Sequence, residues 1–145
     1  MDKSFCVIFD MDGVIFDSER ACLTTWSEVA SRAGIPNIRE VFEKCIGTNK
    51  DQTWQIVEDA YSKEYGEGIA DRLLSASSAL FHERYDHGNL PLKKGVFEIL
   101  DSLKQNGIRI GLASSTRKDT IETELADAGL THYFDMIIGG DSVKI

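Results

Sequence analysis

Two carboxylates stand one residue apart at the end of an apolar run. In FCVIFDMDGVIFDSE, Asp10 and Asp12 close the stretch Phe5–Phe9. Like charges that close repel, and taking either out of water is costly without a partner. A hard divalent cation makes such closeness tolerable, and magnesium takes few protein carboxylates while keeping room for water and phosphate oxygens. A carboxylate can also attack phosphorus as a nucleophile, which splits one hard step into two. A second carboxyl two residues on can give a proton to the leaving oxygen and then take one from water. Gly13 permits the sharp turn that would bring Asp12 back toward Asp10. Far downstream, Ser114 directly follows IRIGLA, and Asp141 closes FDMIIGGD. A serine hydroxyl beside the N–H groups of a helix start can hold phosphate oxygens.

Taken alone, the DxDG pattern has two plainer readings. It could open a calcium loop, but such loops carry Gly at the sixth position and Glu at the twelfth. Here Gly13 is fourth and Ala21 stands at the twelfth. It could also be an acidic turn capping a helix. The chemical reading gains from the combination of apolar strand, DxDG, a helical stretch, and a second apolar strand ending in Ser114.

The elements that must position these residues follow from periodicity. Phe5 to Phe9 suits a short strand buried on both faces, as in a parallel sheet, with Cys6 as a core residue. Residues 18–34 carry Leu23, Trp26, Val29, Ala30 and Ala33 at helical spacing, stopped by Gly34-Ile35-Pro36. Further helices are expected over Ile38–Cys45, Lys50–Glu64 and Ile69–Tyr85, after which DHGNLPLKKG breaks the pattern. GVFEILDSLKQNG then reads as a helix and IRIGLA as a strand. SSTRKDTIETELADAG reads as a turn and helix with Ser115 or Thr116 as N-cap, and FDMIIGGD as a last strand. This order predicts an α/β fold: a parallel, Rossmann-like sheet of about three strands, incomplete, with an inserted α-helical cap domain. The expected division is residues 1–16 plus 92–145 for the α/β core and 17–91 for the cap. Ligands of open parallel sheets bind beyond the carboxyl ends of the strands, where Asp10, Ser114 and Asp141 would lie.

Composition narrows the partners. The chain has 145 residues, 42 % of them hydrophobic, and a net charge of −8. An acidic surface argues against nucleic acid or an anionic membrane as partner, and no apolar run approaches a membrane span. Cys6, Cys22 and Cys45 form no CxxC and no metal spacing, which reads as reduced thiols in a cytoplasmic protein.

VIFDMDGVIFDSE resembles the first motif of the haloacid dehalogenase superfamily of phosphotransferases, and IRIGLASST is similar to its second. The helical insert resembles the small-cap subgroup, which includes β-phosphoglucomutase and sugar-phosphate and phosphoglycolate phosphatases. The resemblance implies Asp10 as phosphoryl-accepting nucleophile and Mg2+ ligand. It implies Asp12 as general acid/base, with its backbone carbonyl on the metal. Ser114 would bind the transferring phosphoryl group, and Ser115 would add a backbone N–H. IGTNK resembles the substrate-specificity loop, so Lys50 would contact a substrate anion or else be a solvated surface lysine. Specificity would lie in Lys50, Asn49 and Arg20. The expected activity is magnesium-dependent hydrolysis of a small phosphorylated metabolite through an aspartyl-phosphate.

Several features depart from that pattern. Cys22 stands where phosphoglucomutase-like members commonly carry His, and a neutral thiol is a poorer proton shuttle; this favours a phosphatase over a mutase. LPLKKGV replaces the usual Pro-Gly-Val turn. Lys144 precedes the position of the family's catalytic lysine, and no acidic pair follows. The expectation is therefore a C-terminally truncated chain of impaired activity. Its Asp10 strand would lie at the sheet edge, open to self-association or a complementing chain. A receiver-type signalling module is disfavoured, because its phosphoacceptor lies on a later strand and it lacks such an insert. A non-catalytic binding or assembly module remains the other alternative.

Overall fold

The computed structural model of the chain describes residues 5–142, so Lys144 lies outside the described part. The elements in chain order are β1 (Cys6–Phe9), α1 (Ser18–Arg32), α2 (Ile38–Cys45), α3 (Lys50–Tyr65), α4 (Ile69–Tyr85), α5 (Val96–Gln105), β2 (Arg109–Ala113), α6 (Lys118–Asp127) and β3 (Met136–Ile138). Short 3-10 turns cover Thr131–Tyr133 and Gly140–Ser142. The protein is α/β, with a parallel three-stranded sheet in the order β1-β2-β3. No helix among the described residues is long and apolar enough to cross a membrane.

The chain divides into two compact units, Met1–Glu19 with Tyr85–Ile145, and Arg20–Arg84. The segment before α5 sits with the first unit because its backbone is tied there. Asp17 N–H donates to the Pro91 carbonyl at 2.8 Å, and Lys93 N–H donates to that of Ile15 at 2.9 Å.

In the first unit the register aligns Ile8, Gly111 and Met136 across the sheet. The alternate residues Phe9, Leu112 and Ile137 line the other face with Ile110, and there they meet Val96 and Leu100 of α5 and Ile121 and Leu125 of α6. One sheet face is therefore core. On the opposite face Ile8 is 53 % exposed and Met136 48 % exposed. This corrects the expectation of a first strand buried on both faces with Cys6 in the core: Cys6 is exposed. The reason is that β1 pairs only with β2, and only one side of the sheet is covered among the described residues.

The second unit closes around Trp26, Ala30, Phe42, Val57, Tyr61, Ala70 and Leu73, all buried. Trp26 and Phe42 meet edge-on with ring centroids 5.0 Å apart, the geometry aromatic quadrupoles favour. Asn49 starts α3 with a capping box: its side chain takes the Gln52 N–H at 2.9 Å, and the Gln52 side chain takes the Asn49 N–H at 3.1 Å. These reciprocal bonds satisfy two donors that a helix start leaves open.

Candidate active site

β1 ends at Phe9, and the chain folds at once into a tight loop. The Met11 carbonyl accepts N–H groups from Ile15 at 2.9 Å and Phe16 at 3.2 Å, and Gly13 N–H donates to the Phe16 carbonyl at 2.9 Å. Gly13 sits at φ 76°, a left-handed conformation costly for residues with a Cβ. Met11, Ile15 and Phe16 are buried and anchor the loop in the core. Asp10 and Asp12 are thereby held at the carboxyl end of β1, Asp10 exposed and Asp12 reaching solvent with its carboxyl partly withdrawn from it. Asp10 Oδ1 accepts the Met11 N–H at 2.8 Å.

β2 delivers the second half of the site. Ser114 follows its last residue and pairs with β3, its N–H donating to the Ile138 carbonyl at 3.0 Å. Ser114 Oγ accepts the Thr116 N–H at 3.2 Å, and Thr116 Oγ1 donates a long hydrogen bond to Asp12 Oδ2 at 3.4 Å. The two strand ends are thus joined through Thr116, a residue the sequence offered only as a helix cap. Neither Ser115 nor Thr116 caps α6. The helix starts at Lys118 after Arg117, and Asp141 Oδ1 takes the Lys118 N–H at 2.9 Å. Asp141 lies beyond β3, which ends at Ile138, and its carboxylate is used on that helix start.

Gly139 and Gly140 let β3's exit pass close under the Ser114–Lys118 loop. Gly140 N–H donates to the Thr116 carbonyl at 2.7 Å. A Cβ at Gly139 would lie 2.6 Å from the Lys118 nitrogen, and one at Gly140 would overlap the Ser115 carbonyl. The position of the loop after β2 therefore depends on these two glycines.

The electrostatics single out Asp12. Withdrawal from water pushes its carboxyl up from the usual aspartate range, and the nearby Asp10 charge pushes it further. Hydrogen bonding to Thr116 and Ser18 acts in the opposite direction. A carboxyl that holds its proton more tightly is suited to giving one. Glu124 on α6 is a second such group. Its carboxyl is raised first by burial, then by Asp12, Asp86 and Asp127, and its Oε2 is buried without a hydrogen bond among the described residues. Thr116, Ser18 and Glu124 were not read as site residues. Their roles come from tertiary approach, and only the hydroxyl-rich triplet Ser114-Ser115-Thr116 carried any local signal.

The cation implied by the DxD pattern can be tested against these donors. Among the described residues no group of three or more His, Cys, Asp or Glu side chains is arranged to hold a metal. Asp10 supplies one exposed carboxylate at the end of β1, with Asp12 two residues on in the same loop. That fits magnesium, which uses one or two protein carboxylates together with waters and phosphate oxygens. The residues proposed for specificity are in the second unit: Arg20 within α1, Asn49 engaged in its capping box, and Lys50 exposed as the first residue of α3.

A family model described as haloacid dehalogenase-like hydrolase matches residues 7–145. A phosphorylated carbohydrates phosphatase of Thermotoga maritima is 30 % identical over 139 residues, covering 95 % of this chain and 62 % of that protein. A β-phosphoglucomutase of Bacillus subtilis is 29 % identical over 117 residues, covering 77 % of this chain and 50 % of that protein. The crystal structure of a β-phosphoglucomutase from Clostridium difficile matches with a TM-score of 0.61 at 26 % identity, covering 100 % of this chain and 65 % of that one. The chain spans between 50 % and 70 % of the length of these and other curated relatives.

Proposed function

Because the chain belongs to the haloacid dehalogenase-like hydrolase family, we propose that it carries the nucleophile of a phosphatase acting on small phosphorylated metabolites, of the sugar-phosphate kind. The observation that carries this is the joining of two strand ends: Asp12 bonded to Thr116, and Thr116 bonded to Ser114. Asp10, exposed at the end of β1, attacks phosphorus and becomes an aspartyl-phosphate. Asp12 protonates the leaving oxygen and then takes a proton from the water that hydrolyses the acyl-phosphate; its raised carboxyl supports the first role. The Ser114 hydroxyl and the Ser115 N–H hold the phosphoryl oxygens. Asp10 and the Asp12 backbone carbonyl would hold Mg2+, which when bound neutralises phosphoryl charge.

Hydrolysis is favoured over phosphoryl transfer between sugar hydroxyls. Burial pushes the Cys22 thiol up from its ordinary value, so at neutral pH it is a poor stand-in for an imidazole shuttle. Substrate discrimination is assigned, on resemblance, to Lys50, Asn49 and Arg20. The edge of β1 that is unpaired among the described residues is proposed to accept a further strand, from a second copy or another chain. The cytoplasm is the proposed location, a reading that the cysteine spacing supports.

The test is hydrolysis of a panel of phosphorylated sugars with and without Mg2+. Turnover that requires Mg2+ and is lost in Asp10→Asn is expected. Turnover that survives Asp10→Asn would overturn the assignment.

A further inference from the structure

Thr116 is tied at three points, and the reaction described above gives it no task. Its N–H donates to Ser114 Oγ at 3.2 Å. Its carbonyl accepts the Gly140 N–H at 2.7 Å. Its hydroxyl donates to Asp12 Oδ2 at 3.4 Å. The first two bonds fix its backbone from both sides. Ser114 is itself paired to β3 through the Ile138 carbonyl at 3.0 Å, and Gly140 passes where a Cβ would overlap the neighbouring Ser115 carbonyl.

A residue held in this way can aim its side chain. Threonine is β-branched and has few favourable χ1 settings, so a fixed backbone also fixes the hydroxyl. Asp12 is the complementary case. Its backbone is held by the DxDG loop, through the bridge to Phe16 and the Gly13 N–H on the Phe16 carbonyl at 2.9 Å. Its side chain reaches solvent. The freedom that the loop leaves open is therefore the rotation of the Asp12 carboxyl. Two hydroxyls meet that carboxyl: Ser18 from the start of α1, and Thr116 from beyond β2.

We propose that Thr116 is a positioning residue for the acid step: its hydroxyl holds Asp12 Oδ2 and so turns Oδ1 toward the oxygen that leaves phosphorus. In that step the Asp10 carboxylate forms a bond to phosphorus, the bond from phosphorus to the substrate oxygen breaks, and the proton on Asp12 Oδ1 passes to that oxygen. A threonine hydroxyl has one proton. Given to Oδ2, it makes that oxygen an acceptor and leaves Oδ1 to carry the transferable proton. Ser114 is ordered by the same count. Its Oγ accepts the Thr116 N–H, so its own proton remains for a phosphoryl oxygen. Thr116 thus orders both strand ends without touching substrate. This role rests on the phosphatase reading.

A sugar phosphate expels a strongly basic alkoxide and needs the proton, whereas p-nitrophenyl phosphate expels a stable phenolate and does not. A misaimed acid handicaps the first ester selectively. A loosened phosphate cradle or a partly unfolded chain handicaps both.

The experiment compares the full chain with Thr116→Val and Thr116→Ser on glucose 6-phosphate and p-nitrophenyl phosphate, with Mg2+ present. Valine keeps the shape and loses the donor. The quantity read is kcat/KM, which reports steps only up to departure of the leaving group. Thr116→Val is expected to shift the ratio of the two kcat/KM values about tenfold to a hundredfold against the sugar ester, the scale of a displaced catalytic group. Thr116→Ser is expected to restore most of that ratio. Equal losses on both esters, or an unshifted ratio, would overturn the role and leave the phosphatase reading in place. Crystal structures of the parent and of Thr116→Val decide the matter independently of turnover. The Asp12 carboxyl is expected within hydrogen-bond reach of Thr116 in the parent and rotated away in the variant. A carboxyl that keeps its place in the variant would overturn the role even in a chain that hydrolyses neither ester, and hydrolysis of neither ester would itself count against the phosphatase reading.

Discussion

The two units solve opposite problems. The helical unit gathers apolar side chains into a closed cluster: Val57 and Ala70 are fully buried, and the start of α3 is capped locally at Asn49. The α/β unit packs one face of its sheet and leaves Ile8 and Met136 about half exposed on the other. Its polar groups are satisfied by partners far away in sequence, Thr116 with Asp12 and Lys118 with Asp141. The difference is instructive about where chemistry can reside. A raised carboxyl beside an exposed one, on a tight loop that turns at a left-handed Gly13, is the kind of arrangement that long-range contacts can hold where local caps cannot.

The comparison can be broken most strongly in the cores. Leu100 in the α/β unit and Leu73 in the helical unit are both almost completely buried. Truncating either to Ala is expected to cost about 2–5 kcal/mol. Denaturant unfolding followed by hydrogen exchange should then show Leu73→Ala loosening residues 20–84 first and Leu100→Ala loosening the sheet first. Equal loosening of both units by either variant would mean that they do not behave as separate bodies.

Next in size is Gly140→Ala. The added methyl must displace the Ser115 carbonyl, at a cost of about 1–3 kcal/mol. Amide exchange should speed up over 114–118 while the α3 cap at Asn49 stays protected. Unchanged protection of the loop would show that the glycines do not position it.

Glu124 gives a smaller effect with a definite sign. Burial and three neighbouring aspartates hold its proton more tightly in the folded state. A raised folded value favours the fold below the unfolded carboxylate range, and that advantage is lost as pH rises through the folded value. Glu124→Gln removes the ionisation. It is expected to melt higher than the parent near neutral pH, with the gain shrinking as pH falls through the carboxylate range. A pH-independent difference would argue against this origin.

The smallest effect sharpens the account of the bare face. Ile8→Thr on exposed β1 is expected to change stability by less than about 0.5 kcal/mol. A loss as large as that of Leu73→Ala would show that this face is covered in solution.

Much of this organisation was legible in the sequence, and the exceptions share a cause. Ile38–Cys45 and Ile69–Tyr85 are helices over the ranges that apolar periodicity and flanking breakers mark. β2 and the DxDG loop also lie where the motifs place them. Cys6 was misread because a continuous apolar run does not reveal which sides of a strand are covered. The start of α6 was misread because Ser114, Ser115 and Thr116 all offer hydroxyls at one place, and the competition is decided by Asp141 and Gly140 more than 20 residues away. Thr116 and Glu124 gain their site roles through the same kind of remote approach.

The most direct test of Asp10 as phosphoryl acceptor is acid-quenched mass spectrometry of the chain after exposure to Mg2+ and a small phosphoryl donor. A phosphoryl group on the peptide containing Asp10, absent from Asp10→Asn, is the expected result. Phosphorylation retained in Asp10→Asn, or hydrolysis of the donor that proceeds at the parent rate in that variant, would contradict it.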